Sequence, residues 1–423
     1  MNFSLSPDFA KRLDQQDSLA SYRDQFVAND PDLMYLDGNS LGRLPKSVIE
    51  RMKKAVEEEW GSDLIRGWNK GWWESPGRIG DKIGSLLGAA EGQVVVGDQT
   101  SINLFKLATA ALTLQPQKKR IITDTFNFPS DLYILQGIVK LLGNQHEIIR
   151  IGASDNDITP DLAALESAIN EDTALVTLSH VTFKSGYLYD LGHITELAHH
   201  KGALVLWDLS HSAGAVPVEL DKSNADFAIG CTYKYLNGGP GAPAFLYVNR
   251  KIQNDATSPI WGWWGQSNPF TFDLDYQPAP GIQRFLVGTA PMLSTLAMEE
   301  ALTPLIAAGI EAQRAKSILM TDYASYLTDE LLAPLGFTLG SPRDSARRGS
   351  HISIRHEDGY RINRAMIEEM NVIPDFREPD NIRLGFAPLY ISFTDIWEGF
   401  DRIKRVIEEK RYEKYPKQKL RVT

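Results

Sequence analysis

Residues 203–241 read ALVLWDLSHSAGAVPVELDKSNADFAIGCTYKYLNGGPG, and the fold follows from them. The apolar run Ala203 to Trp207 has the length of a buried strand and ends in Asp208. A second run, Ala225 to Cys231, ends in Thr232, Tyr233 and Lys234, and the turn residues Asn237, Gly238, Gly239, Pro240 and Gly241 follow. An acid and an amine thus stand at the C-terminal ends of two buried strands, where open α/β sheets place their ligands. Pyridoxal phosphate requires such a couple: a lysine to form a Schiff base and a carboxylate to keep the ring nitrogen protonated. Acids and lysines at strand ends are common, so the neighbouring segments have to carry the argument further.

Working outward, the same rhythm repeats. VVVG precedes DQTSINLFKLATAAL, in which Asp98 to Ser101 have the composition of a helix N-terminus. RIITD leads through TFNFPS into DLYILQGIVKLLG. EIIRI precedes DLAALESAI, and ALVTLS runs through HVTFKSGYLYD into LGHITELAHHKG. Short apolar runs alternating with helices predict a mostly parallel sheet covered on both faces, with right-handed crossovers. Polar residues, joined by the aromatic Phe128, follow successive strands: Thr100 and Ser101, then Phe128 and Asp131, then Ser179, then Asp208 and His211, then Tyr233 and Lys234. In a parallel sheet all of them share one edge. Asp208 is then the partner of a pyridinium, Lys234 the Schiff-base amine, and Phe128 a stacking face. Thr100 and Ser101, at a helix N-terminus, are placed for a phosphate, although capping alone also explains them.

The flanks differ. Residues 8 to 28 suggest a polar amphipathic helix, MYLDGNSLGRLP a short strand and a turn, and PKSVIERMKKAVEEEW a helix opened by Pro45. Trp68, Trp72 and Trp73 lie in a loop rich in Gly and charge, suited either to a ligand or to a satellite aromatic cluster. After AFLYVNR the alternation stops. Residues 256 to 291 predict a loop region containing WGWWG, and a long helical stretch runs from Met292 to about Leu332, interrupted near Pro304 and Gly309. An α+β segment follows, ending in an amphipathic helix with a basic tail. The expected division is an N-terminal arm over 1–60 joined to the small domain, a large cofactor-binding α/β domain over 61–291, and a C-terminal α+β domain over 292–423.

Composition narrows the function classes. A net charge of -10 argues against a nucleic-acid or anionic-membrane surface. The single cysteine excludes an intrachain disulfide and suits a reducing, cytoplasmic setting. The N-terminus has neither the basic start nor the apolar run of a signal peptide. HExxH, CxxC, GxSxG and P-loop motifs are all lacking in the sequence, which leaves metal, acyl-hydrolase and nucleotide-hydrolysis readings without their motifs.

Several motifs together resemble one family, the kynureninases, within the fold-type I pyridoxal-phosphate enzymes. They are YLDGNSLG at 35–42, FPSD at 128–131, SHVTFKSGYLYD, DLSH at 208–211, CTYKYLN at 231–237, WGWWG at 261–265 and IRLGFAPLY at 382–390. The resemblance spans nearly the whole chain. It implies hydrolysis of L-kynurenine or 3-hydroxykynurenine to an anthranilate and L-alanine, in tryptophan catabolism or NAD biosynthesis. By position it implies Lys234 as Schiff-base lysine and base for the α-proton, Asp208 at the ring nitrogen, and Tyr233 as proton donor or phosphate contact. The FPSD residues Phe128, Pro129, Ser130 and Asp131, with Thr100, Ser101, Ser179 and His211, complete the cofactor pocket. Arg383 matches the arginine that pairs with the substrate α-carboxylate, and Trp68, Asn39 and Ser40 are placed with the substrate. Trp263 and Thr289 match positions that reach the cofactor phosphate from a second subunit, which implies a homodimer. Some members carry Asn at the position of Thr289 and His near Trp68, a departure that inclines the reading to kynurenine itself. An aminotransferase or a cysteine desulfurase on the same fold, and a non-catalytic pyridoxal-phosphate-binding protein, are the alternatives. A desulfurase requires an exposed nucleophilic cysteine, and Cys231 sits at a strand end.

Overall fold

The structure, a computed structural model, describes residues 3–418 of the chain; residues 1–2 and the last five residues of the basic tail lie outside the described residues. The short strand β1 (Met34–Tyr35) precedes a central seven-stranded sheet. That sheet is built from β2 (Val94–Val96), β3 (Arg120–Asp124), β4 (Glu147–Ile151), β7 (Thr173–Ser179), β8 (Leu204–Asp208), β9 (Phe227–Gly230) and β10 (Phe245–Val248), with a small hairpin, β5 (Ala153–Asp155) and β6 (Thr159–Pro160), set apart from it. The spatial order is β2-β10-β9-β8-β7-β3-β4, and only β10 runs against the other six. The expected mostly parallel sheet is therefore present, and the C-terminal ends of β2, β3, β7, β8 and β9 share one edge.

Strand side chains alternate between two faces, and here both faces are buried. Val205 and Trp207 of β8, with Val176 and Leu178 of β7, pack into one apolar cluster beside Ile79 and Ile83 of the helix Ser75–Leu87. Leu206, Leu175, Phe227 and Ile229 enter the opposite cluster with Leu104, Leu107 and Ala108 of the helix Thr100–Leu114. This two-sided burial explains why the strands read as continuous apolar runs rather than as alternating ones.

The long helical stretch after Met292 is three helices, Met292–Ala301, Thr303–Ala308 and Ile310–Leu327, broken where expected: Pro304 opens the second, and Gly309, at φ +74, ends it. Beyond them lies a four-stranded antiparallel sheet in the order β11-β12-β15-β14, formed by β11 (Thr338–Leu339), β12 (His351–Arg355), β14 (Asp375–Arg377) and β15 (Asn381–Gly385), while β13 (Val372–Ile373) pairs in parallel with β1. The N-terminal arm is tied to this region twice more. Asp14, on the helix Pro7–Gln15, accepts the Phe393 and Thr394 amides at 2.6 and 3.0 Å and so caps the helix Phe393–Glu408, whose own capping box is Ser392 with Asp395. Arg23 pairs with Asp395.

Three local expectations shift. The amphipathic stretch 8–28 is a nine-residue helix followed by a 3₁₀ turn at Ala20–Gln25, and the helix opened by Pro45 widens to π geometry over Ala55–Asp63. The loop containing Trp68 is a 3₁₀ segment, Leu64–Lys70.

Candidate active site

The strand ends converge on a cavity of about 230 Å³. Its wall includes Thr100, Ser101, Phe128, Ser130, Asp131, Ser179, Asp208, His211, Tyr233 and Lys234, together with Ser40 and Arg383 from the flanking segments. Twelve residues named from the sequence thus meet in one place.

Backbone turns aim these groups. Leu209 donates its amide to Ile229 O at 2.7 Å, which holds the end of β8 beside β9. Asp208 is buried. Its Oδ1 accepts the Ser210 amide (2.8 Å) and the Ser210 hydroxyl (2.6 Å), and Ser179 lies 3.5 Å from Oδ2. The loop after β9 is folded back by Asn237 N to Lys234 O (2.9 Å) and Gly238 N to Thr232 O (2.9 Å), with Asn237 and Gly239 at positive φ. The turn dipeptides of NGGPG therefore present Lys234 to the cavity. The N-terminal arm reaches the same loop, where Gly42 donates its amide to Tyr233 O at 2.8 Å.

Lys234 Nζ lies 3.0 Å from His211 Nε2. Burial, and then Lys234 beside it, hold the His211 imidazole well below its usual range. The neutral ring can accept from Lys234 Nζ through Nε2, and its Nδ1 is buried with no protein partner among the described residues. Burial and the neighbouring Asp208 push the Asp131 carboxyl well up, against the pull of Lys234. Cys231 beside it and burial raise the Tyr233 phenol, which stays protonated at neutral pH. On the opposite wall the helices Thr100–Leu114 and Pro129–Leu141 both begin at the cavity, and Ser101 Oγ and Ser130 Oγ lie 2.9 Å apart. Phe128, the residue before the second helix, is 46% exposed, with Phe183 edge-on to it at 5.3 Å.

Pyridoxal phosphate fits this lining. An amine faces a buried carboxylate, an apolar ring face stands open, two helix N-termini with paired hydroxyls are disposed for a dianion, and a buried imidazole nitrogen lacks a partner.

The comparisons with known proteins decide the family. A protein 43% identical over 403 residues, covering 94% of both chains, is the kynureninase of Pseudomonas fluorescens. Another, 42% identical over 404 residues and covering 94% of this chain and 95% of its own, is the kynureninase of Burkholderia pseudomallei. The chain belongs to the kynureninase family. The model of the kynureninase C-terminal domain matches residues 313–403, which carry Arg383. Among solved structures, a cysteine desulfurase from Escherichia coli superposes with a TM-score of 0.77 at 18% identity, covering 93% of this chain and 99% of its own. A C-DES mutant with glycine covalently linked to its PLP cofactor superposes at 0.76 and 19%, covering 90% and 98%. These neighbours share the fold-type I architecture. As a kynureninase-family member on that fold, the chain is a pyridoxal-phosphate enzyme that hydrolyses a carbon–carbon bond.

Some residues named from the sequence lie outside the cavity. Pro129 is the first residue of its helix and does not line the wall. Asn39 is fully buried and does not line the cavity, its side-chain amide without a partner among the described residues and close against Gly385. Trp68 packs instead among Trp72, Trp73, Trp263 and Trp264. Trp263 and Thr289 are exposed and do not reach the cavity within one chain.

Conversely, Phe183, Ser210 and Arg377 line the wall although the sequence reading did not assign them. Phe183 and Ser210 lie inside quoted motifs. Arg377 was hidden in a three-residue strand between Pro374 and Pro379, too short for periodicity to reveal. Cys231 is buried 3% exposed, and burial raises its thiol.

Proposed function

We propose that this chain hydrolyses L-kynurenine to anthranilate and L-alanine, in the cytoplasm, with Lys234, Asp208 and Tyr233 as its catalytic residues. The observation that carries the reading is the 230 Å³ cavity in which Lys234, His211, Asp208 and Arg383 converge, in a chain of this family. When bound, pyridoxal phosphate supplies an electron sink conjugated to the substrate α-carbon.

Each residue then has a definite task. Lys234 would hold the cofactor through its aldehyde carbon, and its free amine would be the base for the substrate Cα proton. Asp208, fixed by Ser210, would keep a proton on the ring nitrogen, and burial and Asp208 push the neighbouring Asp131 carboxyl up. Phe128 covers the ring. Thr100, Ser101 and Ser130 take the phosphate with the first amides of their helices. The protonated Tyr233 phenol is the donor for the β-carbon of the departing alanine unit. Arg383 receives the α-carboxylate, and Ser40 and Asn39 shape that end of the site.

The active form is a homodimer in which the partner brings its own Trp263 and Thr289 to the phosphate. The exposure of Trp261, Trp263, Phe270 and Phe272 in one segment supports this reading, as does the fact that Trp263 and Thr289 do not line the cavity of their own chain. Trp68 faces the substrate ring only in that assembly. Thr289, in place of Asn, favours a ring without a 3-hydroxyl. A desulfurase reading lacks its nucleophile, since Cys231, the sole cysteine, is buried with a raised thiol.

Purified holoprotein mixed with L-kynurenine should release fluorescent anthranilate faster than 3-hydroxykynurenine releases its product. Lys234→Ala should abolish both the release and the visible absorbance of the bound cofactor. Full turnover by that variant would remove Lys234 from the chemistry.

A further inference from the structure

Strands β14 and β15 pair antiparallel with Asp375 opposite Arg383 and Arg377 opposite Asn381. Because strand side chains alternate, Asp375 and Arg377 share the face that Arg383 presents, while Phe376 between them is buried on the other. The pattern Asp-Phe-Arg therefore sets two guanidinium groups and one carboxylate against the cavity.

The two arginines are committed to very different degrees. Arg383 is 2% exposed. Its Nε donates to Asp375 Oδ1 (2.7 Å), Nη2 to Asp375 Oδ2 and to Ser40 Oγ (3.1 Å), and Nη1 to Phe183 O (2.5 Å). Four of its five N–H groups are thus used by the protein. Arg377 is 32% exposed, pairs with Asp375 Oδ2 at 2.7 Å and donates Nη1 to Phe376 O at 2.9 Å. Asp375 Oδ2 also accepts Ser40 Oγ at 2.7 Å, so three donors crowd one carboxylate oxygen. One of them can turn to a ligand without leaving Asp375 unsatisfied. Arg377, at the cavity wall, is the donor with freedom to do so, whereas Arg383 moving would strand a buried charge. Two guanidiniums stand against Asp375 and the nearby Asp37, whose carboxyl is pushed up by burial and by Asp375, so this end of the cavity keeps a partial positive charge, suited to one carboxylate.

We infer that Arg377 is a second substrate-binding residue, which grips the α-carboxylate of the amino-acid substrate together with Arg383, and that Asp375 is the positioning residue that holds both arginines in place. The inference rests on the proposed amino-acid substrate.

The test uses holoenzyme and two probes, L-alanine, which carries the carboxylate, and L-alaninol, which lacks it, with binding read from the change in visible absorbance of the bound cofactor. Arg377→Met should weaken L-alanine by roughly 10-fold or more, the loss of a charge-assisted hydrogen bond, and leave L-alaninol within about 2-fold. Arg377→Lys keeps the pair with Asp375, so the fold is retained, and it should weaken L-alanine several-fold because the planar fork is lost. Unchanged L-alanine affinity in both variants, or equal weakening of both probes, overturns the assignment of Arg377. If the wild type fails to bind L-alanine and releases no anthranilate from L-kynurenine, the proposed function itself fails, and the inference with it.

Discussion

Replacing Asp375 by asparagine tests whether one carboxylate organises the cationic end of the cavity. Burial works against the Asp375 charge, but Arg383, Arg377 and Ser40 hold its carboxyl at about 2, below an ordinary 3.8. That depression corresponds to a stability contribution on the order of 2–3 kcal/mol linked to the ionised form. The substitution also leaves the Arg383 guanidinium buried and facing an amide, a defect of about 3–5 kcal/mol. An asparagine oxygen still accepts one hydrogen bond, so the lower end of that range is expected. The sign with pH follows from the direction of the shift. A depressed carboxyl stabilises the folded state above pH 4, and the contribution is lost as pH falls through about 2. The protein contains nine tryptophans, so urea unfolding followed by fluorescence is a suitable assay. At pH 7 the variant should unfold at distinctly lower urea with an unchanged slope. It should also lack the wild type's acid-linked loss between pH 4 and 2. A midpoint equal to that of the wild type at pH 7 would refute the reasoning.

Further outcomes follow from other parts of the site and its supports. Burial and Asp375 raise the Asp37 carboxyl to about 7. The folded state therefore binds the extra proton between pH 4 and 7, and stability falls as pH rises through that window; Asp37→Asn should flatten this part of the pH–stability curve, and an unaltered slope assigns it elsewhere. Asp14→Ala removes the cap shared between the N-terminal arm and the helix Phe393–Glu408, at a cost of about 1–2 kcal/mol in urea unfolding; no loss would mean that solvent replaces the cap. A Cβ on Gly42 would lie 2.3 Å from Lys234 O and 2.2 Å from Asn237 Oδ1, so Gly42→Ala should displace the lysine loop and weaken cofactor retention on dialysis, read as lost visible absorbance. Undiminished retention would show that the loop yields without moving Lys234.

Much of this architecture was legible in the chain because the central strands are buried on both faces. Runs such as Leu204–Asp208 and Thr173–Ser179 then appear as unbroken apolar segments, and the polar residues after them fall on one edge by topology alone. The cationic end was less visible. Arg383 lies in the middle of the strand Asn381–Gly385 and could be matched to a family position, but its partners Asp375 and Arg377 lie on a strand of three residues whose existence depends on pairing with β15. The π-helical widening over Ala55–Asp63 likewise leaves no periodic trace. Trp68 was legible as an aromatic in a turn-rich loop, but its neighbours Trp263 and Trp264 come from nearly two hundred residues away, and only packing reveals them. Asn39 could be assigned to a turn, whereas its burial against Gly385 required the N-terminal arm to be docked on the C-terminal sheet.

The most direct measurement is the turnover of L-kynurenine by the holoenzyme in ¹⁸O-enriched water, with both products analysed by mass spectrometry. Hydrolytic cleavage between the β- and γ-carbons places one solvent oxygen in the anthranilate carboxylate, none in alanine, and yields the two products in equal amounts. Anthranilate without solvent oxygen, or kynurenine consumed without alanine, would contradict the account.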